Sequence, residues 1–131
     1  MSNNFDPAYI NSVVGTIFDQ IKATTTWSVR GSWGAHSWQA TLYKGMPALV
    51  FKCSGLLQKG WVYVAYNEGM DVYEVILVNT RGRETTHIPE VYCDELGYLL
   101  DREIERGEMP EEVYYHKAMA DSRRKWGTAE E

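Results

Sequence analysis

The chain has 131 residues, of which 44% are hydrophobic, 13% aromatic and 24% charged. This composition is typical of a folded globular protein and excludes a disordered or low-complexity chain. The length predicts a single domain, 1–131, because two domains of half this size would each bury too small a core. No apolar run approaches the roughly 20 residues needed to cross a bilayer, so we expect no membrane-spanning segment.

The net charge of −5 is concentrated in the C-terminal third of the chain. Residues 1–93 carry seven Lys or Arg and seven Asp or Glu, whereas residues 94–131 carry six and eleven. A nucleic-acid partner is therefore not expected, because binding to polyphosphates relies on clustered Lys and Arg. The N-terminal residues lack the pattern of a signal peptide and the two cysteines lack the spacing of a disulfide scaffold, which predicts a cytoplasmic location.

The first predicted element is a helix that begins at Asp6-Pro7 and ends near Ala23. Asp can accept hydrogen bonds from the free N–H groups of a first turn, and Pro is tolerated at the first helical position. Apolar residues then recur at steps of three and four, which places them on one helix face. They are Ile10, Val13, Val14, Ile17, Phe18 and Ile21.

From Trp27 onward the hydrophobic period changes to two, and turn signals containing Gly, Pro or Asn separate the β-branched and aromatic runs. This pattern predicts an antiparallel β-meander of about five strands. The segments that follow it are 27–33, 38–42, 48–54, 61–66 and 72–79, with a short edge strand at 84–88.

A second helix is predicted from Asp94 to Arg106, with Gly107 just beyond its last turn. Its apolar stripe is Leu96, Leu99, Leu100 and Ile104. The segment from about Pro110 to the end has few apolar residues and is expected to form a peripheral helical or flexible tail. The predicted fold class is therefore α+β: an N-terminal helix, the β-meander, and C-terminal helices packed on the sheet.

The strands 61–66 and 72–79 are apolar at both alternating sets of positions. Neither face of such a sheet can be left in water, so helices or a second copy of the chain should cover both faces. We expect the first helix to cover one face and the second helix to cross the other incompletely. The sequence therefore predicts a homodimer or a protein partner that covers the remainder.

Residues able to support metal binding or catalysis are dispersed along the chain. His36, His87 and His116 lie far apart, and the cysteines show no close pairing, so no metal or cofactor is expected. Cys53 alternates inward and is predicted to be a buried structural thiol. His87 and Cys93 lie close enough in sequence to form a catalytic pair, but no third group is recognisable.

Five tryptophans and nine tyrosines are numerous for so short a chain. Such side chains fill the cores of small sheets, and Trp27, Trp38 and Trp61 are assigned that role. They also dominate many binding sites, and the candidate ligand-binding residues are Trp33, Trp38, Tyr63 and Tyr73.

The sequence favours a non-enzymatic binding or assembly module that acts through protein contacts. The alternative is a small-molecule-binding or catalytic pocket between the sheet and the helices, lined by aromatic residues. Neither a phosphate-binding Gly-rich motif nor a Gly-x-Ser-x-Gly motif occurs, which favours the non-enzymatic function.

One stretch carries a resemblance to known sequences. The segment 61–83, with Asn67-Glu68-Gly69 and Asn79-Thr80-Arg81-Gly82, resembles small uncharacterised proteins of gut Bacteroidetes. The resemblance covers about a fifth of the chain. It implies a bacterial cytoplasmic origin and carries no activity or site residue over to this sequence.

Overall fold

The fold was obtained as a computed structural model, which describes residues 6–107 together with His116 and Met119. Two helices come first, α1 (Pro7–Thr24) and α2 (Trp27–Ser32). Five strands follow: β1 (His36–Tyr43), β2 (Met46–Ser54), β3 (Lys59–Asn67), β4 (Val72–Asn79) and β5 (Glu84–Val91). A 3₁₀ turn (Cys93–Glu95) then leads into α3 (Leu96–Asp101) and a π turn (Arg102–Arg106).

The five strands form one antiparallel sheet in the order β1-β2-β3-β4-β5. The predicted α+β fold, with helices on either side of a five-stranded meander in the sequence, is confirmed. The predicted tail from Pro110 lies outside the described residues, apart from His116 and Met119. Within the described part of the chain, no helix combines the length and apolarity needed to span a membrane.

Helix α1 begins where the sequence predicts. Oδ1 of Asp6 accepts a hydrogen bond from the backbone N–H of Ala8 at 3.0 Å, and Pro7 occupies the first helical position. Val14, Ile17 and Ile21 are buried, in agreement with the predicted apolar face.

The prediction of a strand over residues 27–33 is wrong, because this segment contains helix α2. The Thr26 side chain caps the helix by accepting a hydrogen bond from the Val29 N–H at 3.2 Å, which satisfies a donor that a strand would have paired with a neighbour. Trp27, expected in the core, is 82% exposed on the first turn. Gly34, with φ of 63°, ends the segment and turns the chain into β1.

The main core lies between the helices and one face of the sheet, which we call the inner face. Its buried strand residues are Leu49, Phe51, Cys53, Val62, Val64, Tyr73, Val75, Leu77 and Val91. Buried residues of α1 pack on them together with Leu96, Leu99, Leu100 and Ile104. The predicted burial of Cys53 and of this second stripe is therefore confirmed.

The prediction that the two helices cover opposite faces of the sheet is wrong, because α3 packs beside α1 on the inner face. The connection from β5 to α3 consists of Tyr92 and one 3₁₀ turn, and so short a connection keeps α3 on the side where β5 ends. Gly97 allows the close approach: its N–H donates to Oγ1 of Thr24 at 3.0 Å, and a Cβ at this position would collide with the same threonine.

The opposite face, which we call the outer face, has a smaller core of its own. Ala48, Ala65 and Ile76 are fully buried there. Among the described residues, four partly buried side chains pack on them, and all of these come from the strands or their ends: Tyr43, Met46, Tyr63 and Val78. Aromatic side chains of the sheet itself therefore provide part of the cover that was predicted for this face.

Candidate functional site

The four aromatic residues predicted to bind a ligand lie in three different places. Trp33 is fully buried in the inner core, where its Nε1–H donates to Oδ1 of Asp101 at 2.9 Å. Trp38 also packs in this core, with its ring centroid 4.2 Å from that of Phe51. Tyr63 lies on the outer face, and Tyr73 lines a cleft beside α1. The structure therefore does not bring the four together.

A polar network crosses the outer face and joins its two edge strands. The hydroxyl of Tyr43, at the end of β1, donates to Oε1 of Glu84, at the start of β5, over 2.6 Å. In a flat five-stranded sheet these strands would be four spacings apart, or roughly 19 Å, which is more than the two side chains can span. The twisted sheet must therefore bring these corners toward each other, so that the outer face is concave.

The network continues from Glu84 through β5 to β4. Nε2 of His87 lies 2.7 Å from Oε1 of Glu74, while its Nδ1 lies 3.8 Å from Oε2 of Glu84. Oε2 of Glu74 accepts a hydrogen bond from Nδ2 of Asn67 at 2.9 Å. The His87 ring thus lies between two carboxylates. One is Glu74, which also accepts a hydrogen bond from Asn67, and the other is Glu84, which also accepts one from Tyr43.

The surroundings of this network perturb two of its groups in opposite directions. For Tyr43, burial and the hydrogen bond to Glu84 raise the pKa to about 12, so the hydroxyl remains a donor at neutral pH. Burial alone would raise the pKa of Glu74, but hydrogen bonds from Asn67 and His87, together with the charge of Lys44, leave it lowered. Glu74 is consequently a carboxylate at neutral pH.

Aromatic residues lie beside the polar network on the same face. The rings of Tyr43 and Tyr63 are 5.5 Å apart between centroids. Trp61 is half-buried, and Nζ of Lys52 lies 5.1 Å from the centroid of its ring. We refer to Tyr43, Met46, Trp61, Tyr63 and Val78, with the network beside them, as the outer-face site.

A separate cleft of about 570 Å³ opens between α1, the ends of β3 to β5 and the 3₁₀ turn. Its walls include Tyr66 and Tyr73, whose ring centroids are 5.8 Å apart in an edge-to-face arrangement. The Tyr66 hydroxyl donates to Oδ1 of Asp71 at 2.7 Å, and the Tyr73 hydroxyl donates to the Gln20 side chain. The remaining lining residues are Val72, Val91, Tyr92, Cys93, Asp94 and Glu95.

The predicted pairing of His87 with Cys93 is not formed. His87 points to the outer face, where it contacts Glu74, whereas the exposed Cys93 lines the cleft. Burial is the main cause of the raised pKa of Tyr73 in the same cleft. Among the residues that the structure describes, no group of three His, Cys, Asp or Glu is placed to hold a metal ion.

Sequence reasoning missed the outer-face network, although one signal pointed to it. Glu74 is the one charged residue of β4, and strand alternation places it on the same face as Ile76. A lone carboxylate within an apolar strand needs hydrogen-bond partners on that face. In the pairing of β4 with β5, His87 lies opposite Ile76, which is two residues from Glu74 on the same face. A partner for Glu74 could therefore have been sought at His87.

No family model matches the chain, and neither the curated proteins nor the solved structures include a significant match to it.

Proposed function

We propose that this protein is a non-enzymatic binding module that acts through protein contacts at the outer-face site. One observation carries the proposal: the smaller core of the outer face consists of side chains from the strands and their ends, without a contribution from α1, α2 or α3. A sheet face with buried small residues and half-buried aromatics can gain further burial from a partner.

The side chains of this face are those that protein interfaces use. Tyr, Trp and Met are enriched in interface cores, where they combine a large contact area with few rotatable bonds. Lys44 and Lys52 are exposed beside the aromatic rings, which is the arrangement of a charged rim around an apolar centre. The hydrogen bonds of Tyr43 and Glu74 are made within the chain, so a partner does not have to satisfy them.

A homodimer is the first form of the proposal to test, because a second copy offers the same apolar face. The molar mass in solution would be measured by light scattering over a range of micromolar concentrations, for the wild type and for Trp61→Ala. Trp27→Ala is the matched control, since it removes an 82%-exposed tryptophan of α2, a helix that contributes nothing to the outer-face core. Dimerisation that Trp61→Ala weakens and Trp27→Ala leaves unchanged is the expected result.

A partner other than a second copy is tested by a photo-crosslinking amino acid placed at position 61 or at position 27 in living cells. Defined crosslinked species at position 61, absent at position 27, are expected. A monomeric mass at every concentration, together with no crosslinks at position 61, would contradict the proposal.

The cleft supports a second candidate function, small-molecule binding. Its volume of about 570 Å³ falls within the range of ligand pockets, and it lies between a helix and the sheet. Two of its walls are Tyr66 and the largely buried Tyr73, whose hydroxyls donate to Asp71 and Gln20.

A further inference from the structure

We infer that the cleft beside α1 takes a small organic cation, such as a primary ammonium compound; this inference rests on the second candidate function. The cleft is concave, large enough for a small molecule, and lined by three tyrosines: Tyr66, the largely buried Tyr73 and the exposed Tyr92. The face of a tyrosine ring attracts a cation, an interaction that strengthens as the site loses water.

The charges around the cavity have one sign. Three of its ten lining residues are acidic, namely Asp71, Asp94 and Glu95, and none is Lys, Arg or His. Among the described residues, none of these three carboxylates forms a salt bridge. Negative charges gathered around a concave surface focus the electrostatic potential there and raise the local concentration of cations.

The hydrogen bonds of the cleft are compatible with this ligand class. Tyr66 keeps its proton, since its hydrogen bond to Asp71 and its burial raise its pKa to about 12. It donates that proton to one oxygen of Asp71, and the second oxygen can accept from an ammonium group. An anion, by contrast, would meet three carboxylates and no cationic side chain in the lining.

The test uses 1,4-diaminobutane as the probe and butane-1,4-diol as its neutral control of matched length. Binding to the full-length protein would be followed by amide chemical shifts, with attention to Tyr73, Tyr92 and Cys93. We expect saturable shifts with the diamine, none with the diol, and weaker binding as the salt concentration rises to about 0.15 M.

Two variants remove charge and preserve shape. Asp71→Asn retains an acceptor for Tyr66, and Asn tolerates the positive φ of 57° at this position. Asp94→Asn changes an exposed residue. Each should weaken diamine binding about fivefold, whereas Asp19→Asn, which neutralises a 76%-exposed carboxylate on α1, should leave it unchanged.

The possible failures are distinguishable. Equal binding of the diol would contradict the preference for a cationic ligand and leave the cleft as a pocket for neutral ligands. Absence of saturable shifts with either compound would overturn both the cation and the small-molecule function of the cleft. Equal weakening by Asp19→Asn would show a general charge effect and also overturn the inference.

Discussion

Tyr43 and Glu84 join diagonally opposite corners of the five-stranded sheet through a hydrogen bond of 2.6 Å. Each residue lies on an edge strand, so the bond can form only because the sheet curves enough to bring these two corners together. The same carboxylate lies 3.8 Å from His87, which connects this corner to the polar network on β4.

Tyr43→Phe should destabilise the protein by about 0.5–1.5 kcal/mol, because it removes one hydrogen bond to a carboxylate and leaves the ring in place. The measurement is chemical denaturation, and Tyr98→Phe is the control, since Tyr98 is 70% exposed. A double-mutant cycle with Glu84→Ala, which removes the acceptor, isolates the pair. Additive effects of the two substitutions would show that the bond contributes nothing.

Alkaline pH should weaken the folded state through the same tyrosine. Burial and Glu84 raise the pKa of Tyr43 to about 12, whereas a tyrosine in an unfolded chain titrates near 10. A raised folded pKa means that this stability is present below about pH 10 and is lost as the pH rises toward 12. Absorbance titration should show late-ionising tyrosines, one fewer in Tyr43→Phe. An unchanged titration in that variant would contradict the assignment.

Trp27, the first residue of α2, and Trp33, which follows its last residue, should differ sharply in their contribution to stability. Trp33→Ala removes a fully buried ring and its hydrogen bond to Asp101, and should lower the free energy of unfolding by about 3–5 kcal/mol. Trp27→Ala, at an 82%-exposed position, should change it by less than about 0.5 kcal/mol. Thermal or denaturant unfolding of both variants makes the comparison, and similar losses would refute the described orientation of α2.

The two thiols should react with a chromogenic disulfide reagent at very different rates. Cys93 is exposed, whereas Cys53 is buried and its burial raises its pKa to about 11, which suppresses the thiolate. One thiol equivalent should therefore react in the folded protein and the second after unfolding. Cys93→Ser should abolish the fast phase; two fast equivalents in the native wild type would show that Cys53 is accessible.

Alanine should have opposite effects at two glycines. Gly60 has φ of 135°, and a Cβ there would collide with the Val78 carbonyl oxygen, so Gly60→Ala should destabilise the protein by about 1–3 kcal/mol from strain alone. Gly15 lies inside α1 with no atom within 4 Å of an added Cβ, and Gly15→Ala should stabilise it by about 0.5–1 kcal/mol. Unfolding curves of the two variants measure both effects, and a shift in the same direction would contradict one of them.

Periodicity was sufficient to predict the elements whose side chains face one dominant core. The stripe of α1, the buried strands and the residues of α3 were recognisable because each repeats at the spacing of its element. Helix α2 was not recognisable, because six residues are too few to establish a helical period. The Thr26 side chain, which caps its first turn, stabilises the helix instead.

The candidate sites were harder to predict than the fold, because they depend on how separate strands meet. Tyr63 and Tyr73 were singled out from the sequence, and the structure places each in a different candidate site. The bond between Tyr43 and Glu84 joins residues 41 positions apart and depends on the curvature of the whole sheet. No local pattern encodes that curvature.

The order of the strands also bears on how the chain folds. Every strand pairs with its neighbours in sequence, so each of the four hairpins can close a short loop at little entropic cost. The helical layer is different: the bond between Gly97 and Thr24 joins residues 73 positions apart, on either side of the whole meander. Because closing so long a loop costs less entropy once the hairpins have shortened the path, we expect the sheet to form before α1 docks against α3.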